Sequence, residues 1–229
     1  MQPELRMYTQ TADLALDANK VLRNTYMLLG LSMIPTVIGA FIGMSMNLAI
    51  MAQSPIVTMI VMLAVMFGLF WGISANRNNS LGIVLLLGLT FFMGIMLGPI
   101  LQVALHLRNG VQLVGLAAGG TGVIFFTLAG IATATKRDFS FMGKFLMIGL
   151  VLLILASLAN LFFHVPAMTL TISAIAVLIF SGFILFDVSR VVTGGETNYI
   201  MATLAIYLDI YNLFVNLLQL LMALAGERD

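Results

Sequence analysis

Two carboxylates stand where a carboxylate is costly. Asp187 lies in the run SGFILFDVSRVV and Asp209 in IYLDIYNLFVNLLQ, and they are the only acidic residues of the chain inside apolar runs. An ionisable group in a membrane segment marks a functional site by default. At a helix centre a lone Asp costs roughly 2.5–3.5 kcal/mol on insertion scales. Between the two runs, Gly194-Gly195 marks a turn. If the first helix ends near Thr193, Asp187 lies roughly 9 Å deep; if the second starts near Ile200, Asp209 lies roughly 13–14 Å deep. Side-chain reach and helix tilt can close that gap. Two carboxylates in a dry site cannot both ionise cheaply, so a pair in contact titrates as one unit and shares a proton. Loss of that proton drives the helices apart or draws in a cation. Hard oxygen ligands suit calcium, but two Asp are too few for tight binding. The chemistry expected is therefore a transient calcium site on a pH-gated cation pathway, with Asp187 and Asp209 as sensor.

Polar residues extend this line. Asp209, Asn212, Asn216 and Gln219 fall at i, i+3, i+7 and i+10, one face of a helix. Ser157, Asn160 and His164 repeat the pattern on the preceding run but one, and Ser173, Phe180 and Asp187 follow at intervals of seven. Such faces turn away from lipid. Interhelical hydrogen bonding alone accounts for each single Asn, Ser or His. Asn212, Asn216, Asn160 and Ser157 are therefore read as support for the Asp pair.

The elements that position these residues are set by composition. Of 229 residues 61% are hydrophobic and 8% charged, and the mean hydropathy is +1.11. A soluble domain carries about 25% charge, so lipid is the expected solvent. The ten Lys and Arg are scattered, which argues against nucleic acid as a partner. With no Cys there is no disulfide or thiol chemistry, and His106 and His164 have no ligand spacing around them. No cleavable leader is visible, so the first apolar run reads as a retained anchor.

A membrane span needs about 20 apolar residues. Residues 25–46, 55–75, 81–107, 111–135, 141–163, 166–188 and 200–225 qualify. The short breaks, NLAIMAQS, NRNNS, RNG, KRDFS, HVP and SRVVTGGETNY, force antiparallel neighbours. The expected fold is an all-α, seven-helix transmembrane bundle over 25–229, preceded by a cytoplasmic tail over 1–24 that is dispensable for folding. With the N-terminus inside, the inner segments hold Arg6, Lys20, Arg23, Arg77, Lys136, Arg137, Lys144 and Arg190, against Arg108 and Arg228 outside. That imbalance places the N-terminus in the cytoplasm and, with an odd number of spans, the C-terminus outside. Small residues four apart occur at Gly39/Gly43, Gly68/Gly72, Gly94/Gly98 and Gly115/Gly119, a device for close helix packing. Pro35 and Pro99 interrupt spans, and Gly98-Pro99 is the expected hinge.

At these residues the chain resembles the transmembrane Bax-inhibitor-motif family over nearly its whole length. The markers are LGPIL at 97–101, KRDFSF at 136–141, FDVSR at 186–190 and YLDIYNLFVNLL at 207–218. KVLRNTY at 20–26 and GGETNYI at 194–200 are similar to the bacterial group associated with the membrane AAA protease FtsH. The resemblance implies a central seventh helix surrounded by the other six, a pH-sensitive calcium leak, and a di-aspartyl sensor at Asp187 and Asp209. It also implies a basic latch at the end of the second helix, where Arg77 is the only cation. Two functions follow. The first is a calcium leak in a bacterial-type inner membrane. The alternative is a non-enzymatic modulator of the protease FtsH. An intramembrane aspartyl hydrolase ranks below both, since the chain lacks the further motifs expected beside such an Asp pair.

Overall fold

A computed structural model describes residues 3–46 and 55–226. The break at 47–54 and the outer cation Arg228 lie outside the described residues. The described chain is all helix: α1 (Pro3–Ser45), α2 (Pro55–Ala75), α3 (Ser80–His106), α4 (Gly110–Thr135), α5 (Met142–Phe163), α6 (Pro166–Val192) and α7 (Tyr199–Gly226). Six of them contain stretches long and apolar enough to cross a membrane, and in α2 the apolar stretch among the described residues is shorter, Ile60–Ala75. The predicted spans fall on these helices to within a residue or two at most ends. The exceptions are the N-terminus of α1 and the C-terminus of α6, which runs on through Arg190.

The ends of the helices follow from local chemistry. Asn79 caps α3 by accepting from the Gly82 amide at 3.3 Å. Pro166 opens α6, where a missing N–H costs nothing. Lys136 and His164 take left-handed conformations at the ends of α4 and α5. Gly194 at φ +79 makes the turn from α6 to α7, a conformation that glycine alone adopts without strain. Asn198 then caps α7, accepting from the Ile200 and Met201 amides at 3.0 Å each. Residues 3–24 continue into the first span as one helix, α1.

The closest seam is α1 against α3. A Cβ on Gly94 would lie 2.9 Å from the Thr36 carbonyl carbon and Cα, one on Gly43 would lie 2.9 Å from the Ile95 carbonyl carbon, and one on Gly98 would lie 2.6 Å from Gly43 Cα. Two of the four glycine pairs seen in the sequence, Gly39/Gly43 and Gly94/Gly98, thus interdigitate backbone to backbone. Gly98 is held in that seam, and α3 runs unbroken through Pro99. Proline at 99 leaves the Ile95 carbonyl without its helical donor, and that carbonyl faces Gly43. Gly72 has only a leucine methyl nearby, and Gly68, Gly115 and Gly119 have open space at the Cβ position.

α7 packs against α6, α4, α1, α3 and α2, whereas α5 packs on α6. Buried residues on α7 include Ile206, Tyr207 and Leu213. Within α5 only Leu146 and Leu153 are buried. The perimeter carries Phe67, Trp71, Phe126, Phe145 and Phe162, each more than half exposed, the surface that lipid would cover.

Candidate carboxyl site between the last two helices

Asp187 sits one and a half turns before the end of α6 and Asp209 three turns into α7. The Gly194 turn folds α7 back along α6 and brings the two together. Their carboxyls lie within hydrogen-bonding reach of each other. Both line a cavity of about 690 Å³, walled by Met66 and Phe70 of α2, Leu153 and Ser157 of α5, and Phe180 and Phe183 of α6. Asp209 is 6% exposed, and its Oδ2 is buried without a hydrogen-bond donor.

Asn212, Asn216 and Ser157 line the same cavity. The two amide nitrogens donate to the carbonyls one turn back, Leu208 and Asn212, at 2.8 Å each. Each side chain keeps a second N–H and its amide oxygen for other partners. Asn160 stands apart from this group. It donates to Thr169 Oγ1 at 2.7 Å and accepts from the Val165 amide at 3.0 Å, so it ties the α5–α6 turn. Gln219 accepts from Ser173 Oγ at 3.1 Å and joins α7 to α6 further along.

The cation beside Asp187 is Arg190, not Arg77. Arg190 Nη1 lies 3.7 Å from Asp187 Oδ1 and Nη2 lies 3.6 Å from Glu196, while the guanidinium covers the Phe186 ring at 5.6 Å. Arg77 is exposed. Its backbone carbonyl, rather than its side chain, makes the recorded link to the α6–α7 loop, accepting from Asn198 Nδ2 at 2.8 Å. The reason is geometric: Arg190 is one turn from Asp187 on the same helix, whereas Arg77 sits in the turn after α2. The i, i+3 spacing of Asp187 and Arg190 was visible in FDVSR and would have found this pair.

Tyr207 is a second residue the polar pattern missed. Its hydroxyl lies 2.8 Å from Thr36 Oγ1 and 3.3 Å from the Thr90 carbonyl. Either hydroxyl can donate in the Thr36–Tyr207 bond, and Thr36 also bonds the Ser32 carbonyl at 2.8 Å. One buried phenol thus pins α7 to both α1 and α3, half a turn from Asp209. A Tyr two residues before the Asp was the available signal.

Helices of membrane-spanning length around a carboxyl pair and a cavity define an integral membrane protein with an ionisable site near the end of its sixth helix. The sequence profile described as inhibitor of apoptosis-promoting Bax1 matches residues 18–226. The chain belongs to this Bax-inhibitor family. It is 42% identical over 217 residues to an uncharacterized membrane protein of Vibrio cholerae, covering 94% of this chain and 95% of that one. It is 40% identical over 223 residues to an uncharacterized protein of Neisseria meningitidis serogroup B, covering 96% and 98%. It is also similar to the modulator of FtsH protease YccA of Escherichia coli K12, 39% identical over 206 residues, covering 90% and 91%.

Proposed function

We propose that this chain is a non-enzymatic inner-membrane protein that binds and modulates a membrane AAA protease of the FtsH type. The observation that carries this is 39% identity, over nine-tenths of both chains, to a protein named as a modulator of that protease. The long α1 adds support, because Pro3–Ser45 begins well before the apolar run that opens at Thr25 and offers a segment to grip. The charge imbalance read from the sequence puts that segment in the cytoplasm and, with seven spans, the C-terminus outside. α7, packed on five of the other six helices, serves as the centre of the bundle. The test is reconstitution of the protease with and without this chain. Association together with a changed turnover of a membrane substrate is the expected result. Unchanged turnover and no association overturn the proposal.

A second reading, a pH-gated cation leak, is favoured by the contact between Asp187 and Asp209 in one cavity. Two carboxyls in contact hold one proton between them; its loss leaves a doubly charged site for a passing cation, calcium by preference for hard oxygen. The chain supplies two carboxylates and the amide oxygens of Asn212 and Asn216, fewer than the six to eight oxygens calcium takes when held. A weak, transient site fits that set. Calcium flux into vesicles should depend on pH, Asp187→Asn and Asp209→Asn should each flatten that dependence, and the double variant should add little. Flux that is absent, or additive effects of the two variants, would count against a shared site.

A further inference from the structure

A second concavity lies across the bundle from the carboxyl site. α1 and α4 meet where Tyr26 packs on Phe125, ring centroids 6.2 Å apart. Between these helices runs a groove of about 1000 Å³, floored by α7 through Tyr211 and Phe214 and reaching from Tyr26 to Met44 along α1 and from Val114 to Thr133 along α4. The walls span nineteen and twenty residues, about 27–29 Å at about 1.5 Å per residue. That is close to the roughly 30 Å thickness of the hydrocarbon core.

Three features say what fits there. The first is size. Half of a cylinder about 10 Å across and about 27 Å long is roughly 1100 Å³, so the groove takes one α-helix embedded to half its width. An acyl chain belongs to one leaflet and would fill about half the length. The second is the rim. Gly30 on α1 and Gly122 and Gly130 on α4 line the groove and have nothing within 4 Å of the Cβ position. On the α1–α3 seam this chain uses glycines for backbone approach; here the same residue type is left without a neighbour. The third is an unmet hydroxyl. Thr121 lines the groove at mid-length, is 5% exposed, and its Oγ1 is buried with no hydrogen-bond partner. A polypeptide side chain or carbonyl can satisfy it; a lipid tail cannot.

We infer that the α1–α4 groove is the docking surface for a transmembrane helix of the protease partner, seated against Gly122 with a polar group at Thr121. This rests on the protease-modulator reading. The helix would present small residues toward Gly30 and Gly122 and lie along both walls.

The test uses the full chain co-expressed with a membrane AAA protease. A photocrosslinking aromatic residue replaces Phe126, which lines the groove and is 74% exposed, or Ile148, which is 62% exposed on α5 and away from the groove. Recovery of the protease with the chain from detergent is measured for the wild type, Gly122→Leu, Gly68→Leu and Thr121→Val. The crosslink should form from position 126 and not from 148, and should map to a transmembrane helix of the protease. Gly122→Leu should cut recovery about tenfold, equivalent to 1.4 kcal/mol. Gly68→Leu, also in open space but on α2, should leave it unchanged. Thr121→Val should lower recovery about threefold, the worth of one average interhelical hydrogen bond. The free Thr121→Val chain should melt no lower than wild type, because the change removes an unsatisfied group. Wild-type recovery with Gly122→Leu, or a crosslink from 148 instead, overturns the groove and leaves the modulator reading standing. No association even of the wild type removes both. A crosslink from 126 only to a second copy of the chain, or only to lipid, also overturns the inference.

Discussion

Gly94→Ala adds one methyl group at the tightest part of the molecule, and the structure fixes what it meets. The new Cβ would sit 2.9 Å from both the carbonyl carbon and Cα of Thr36. Carbon atoms in contact settle at about 3.5–4.0 Å, so α1 and α3 must part by roughly 0.6–1 Å at this level. The obstacle is backbone and cannot rotate aside. Overpacking of this kind costs about 1–3 kcal/mol, and alanine's better helix propensity returns about 1 kcal/mol. The net expectation is a loss of about 0–2 kcal/mol, a melting temperature lower by up to about 8 °C for a chain of this size. Gly68→Ala is the control. Its Cβ meets nothing within 4 Å, so it should gain about 0.4–1 kcal/mol. The displacement should also reach the carboxyl site, because Thr36 is hydrogen-bonded to Tyr207, two residues before Asp209. Parting α1 from α3 strains that hydrogen bond, so Gly94→Ala combined with Tyr207→Phe should cost less than the sum of the two. The assay is thermal unfolding in one detergent at one scan rate. Gly94→Ala melting at or above Gly68→Ala, or strict additivity with Tyr207→Phe, would refute the reasoning.

Three further outcomes are expected. Arg190→Gln removes the cation from Asp187 and Glu196 and should raise basal cation leak in vesicles, whereas Arg77→Gln should not; the reverse pattern would restore Arg77 as the latch. Asn198→Ala removes the cap of α7 and the bonds to the Arg77 carbonyl and to Asn78 Oδ1, 2.8 and 2.9 Å, and should cost about 1–2 kcal/mol in thermal unfolding; an unchanged melting curve would contradict it. In the α4–α5 turn, the Ser140 hydroxyl and amide hold Asp138 below the usual carboxylate range. Because the folded form binds that proton less readily, the turn's small contribution is complete above the ordinary carboxylate range and fades as pH falls through the lowered value. The Ser140 amide resonance should report this loss, and Asp138→Asn should abolish its pH dependence.

The sequence alone determined the apolar character of the chain, its helices and the two acids set inside apolar runs. Apolar runs of some twenty residues have one low-energy answer in lipid, a helix that satisfies its own backbone. That is why the spans were legible almost to the residue. An Asp in such a run is expensive wherever the helix goes, so Asp187 and Asp209 stood out without a structure. What lies between helices was not legible. All four glycine pairs carry the same spacing, yet only Gly39/Gly43 and Gly94/Gly98 meet another backbone, because the partner is chosen by the fold and not by the motif. Asn160 shares a helical face with Ser157, but three residues along α5 carries it out of the cavity and into the turn with Thr169. Arg190 lies one turn from Asp187 on the same helix and could have been read from that spacing. That Arg77, distant in sequence, stays exposed is decided by the path of the chain. Periodicity assigns a residue to a face of its own helix; which neighbour that face meets, and at what depth, is decided by how the helices pack, and that information is not local.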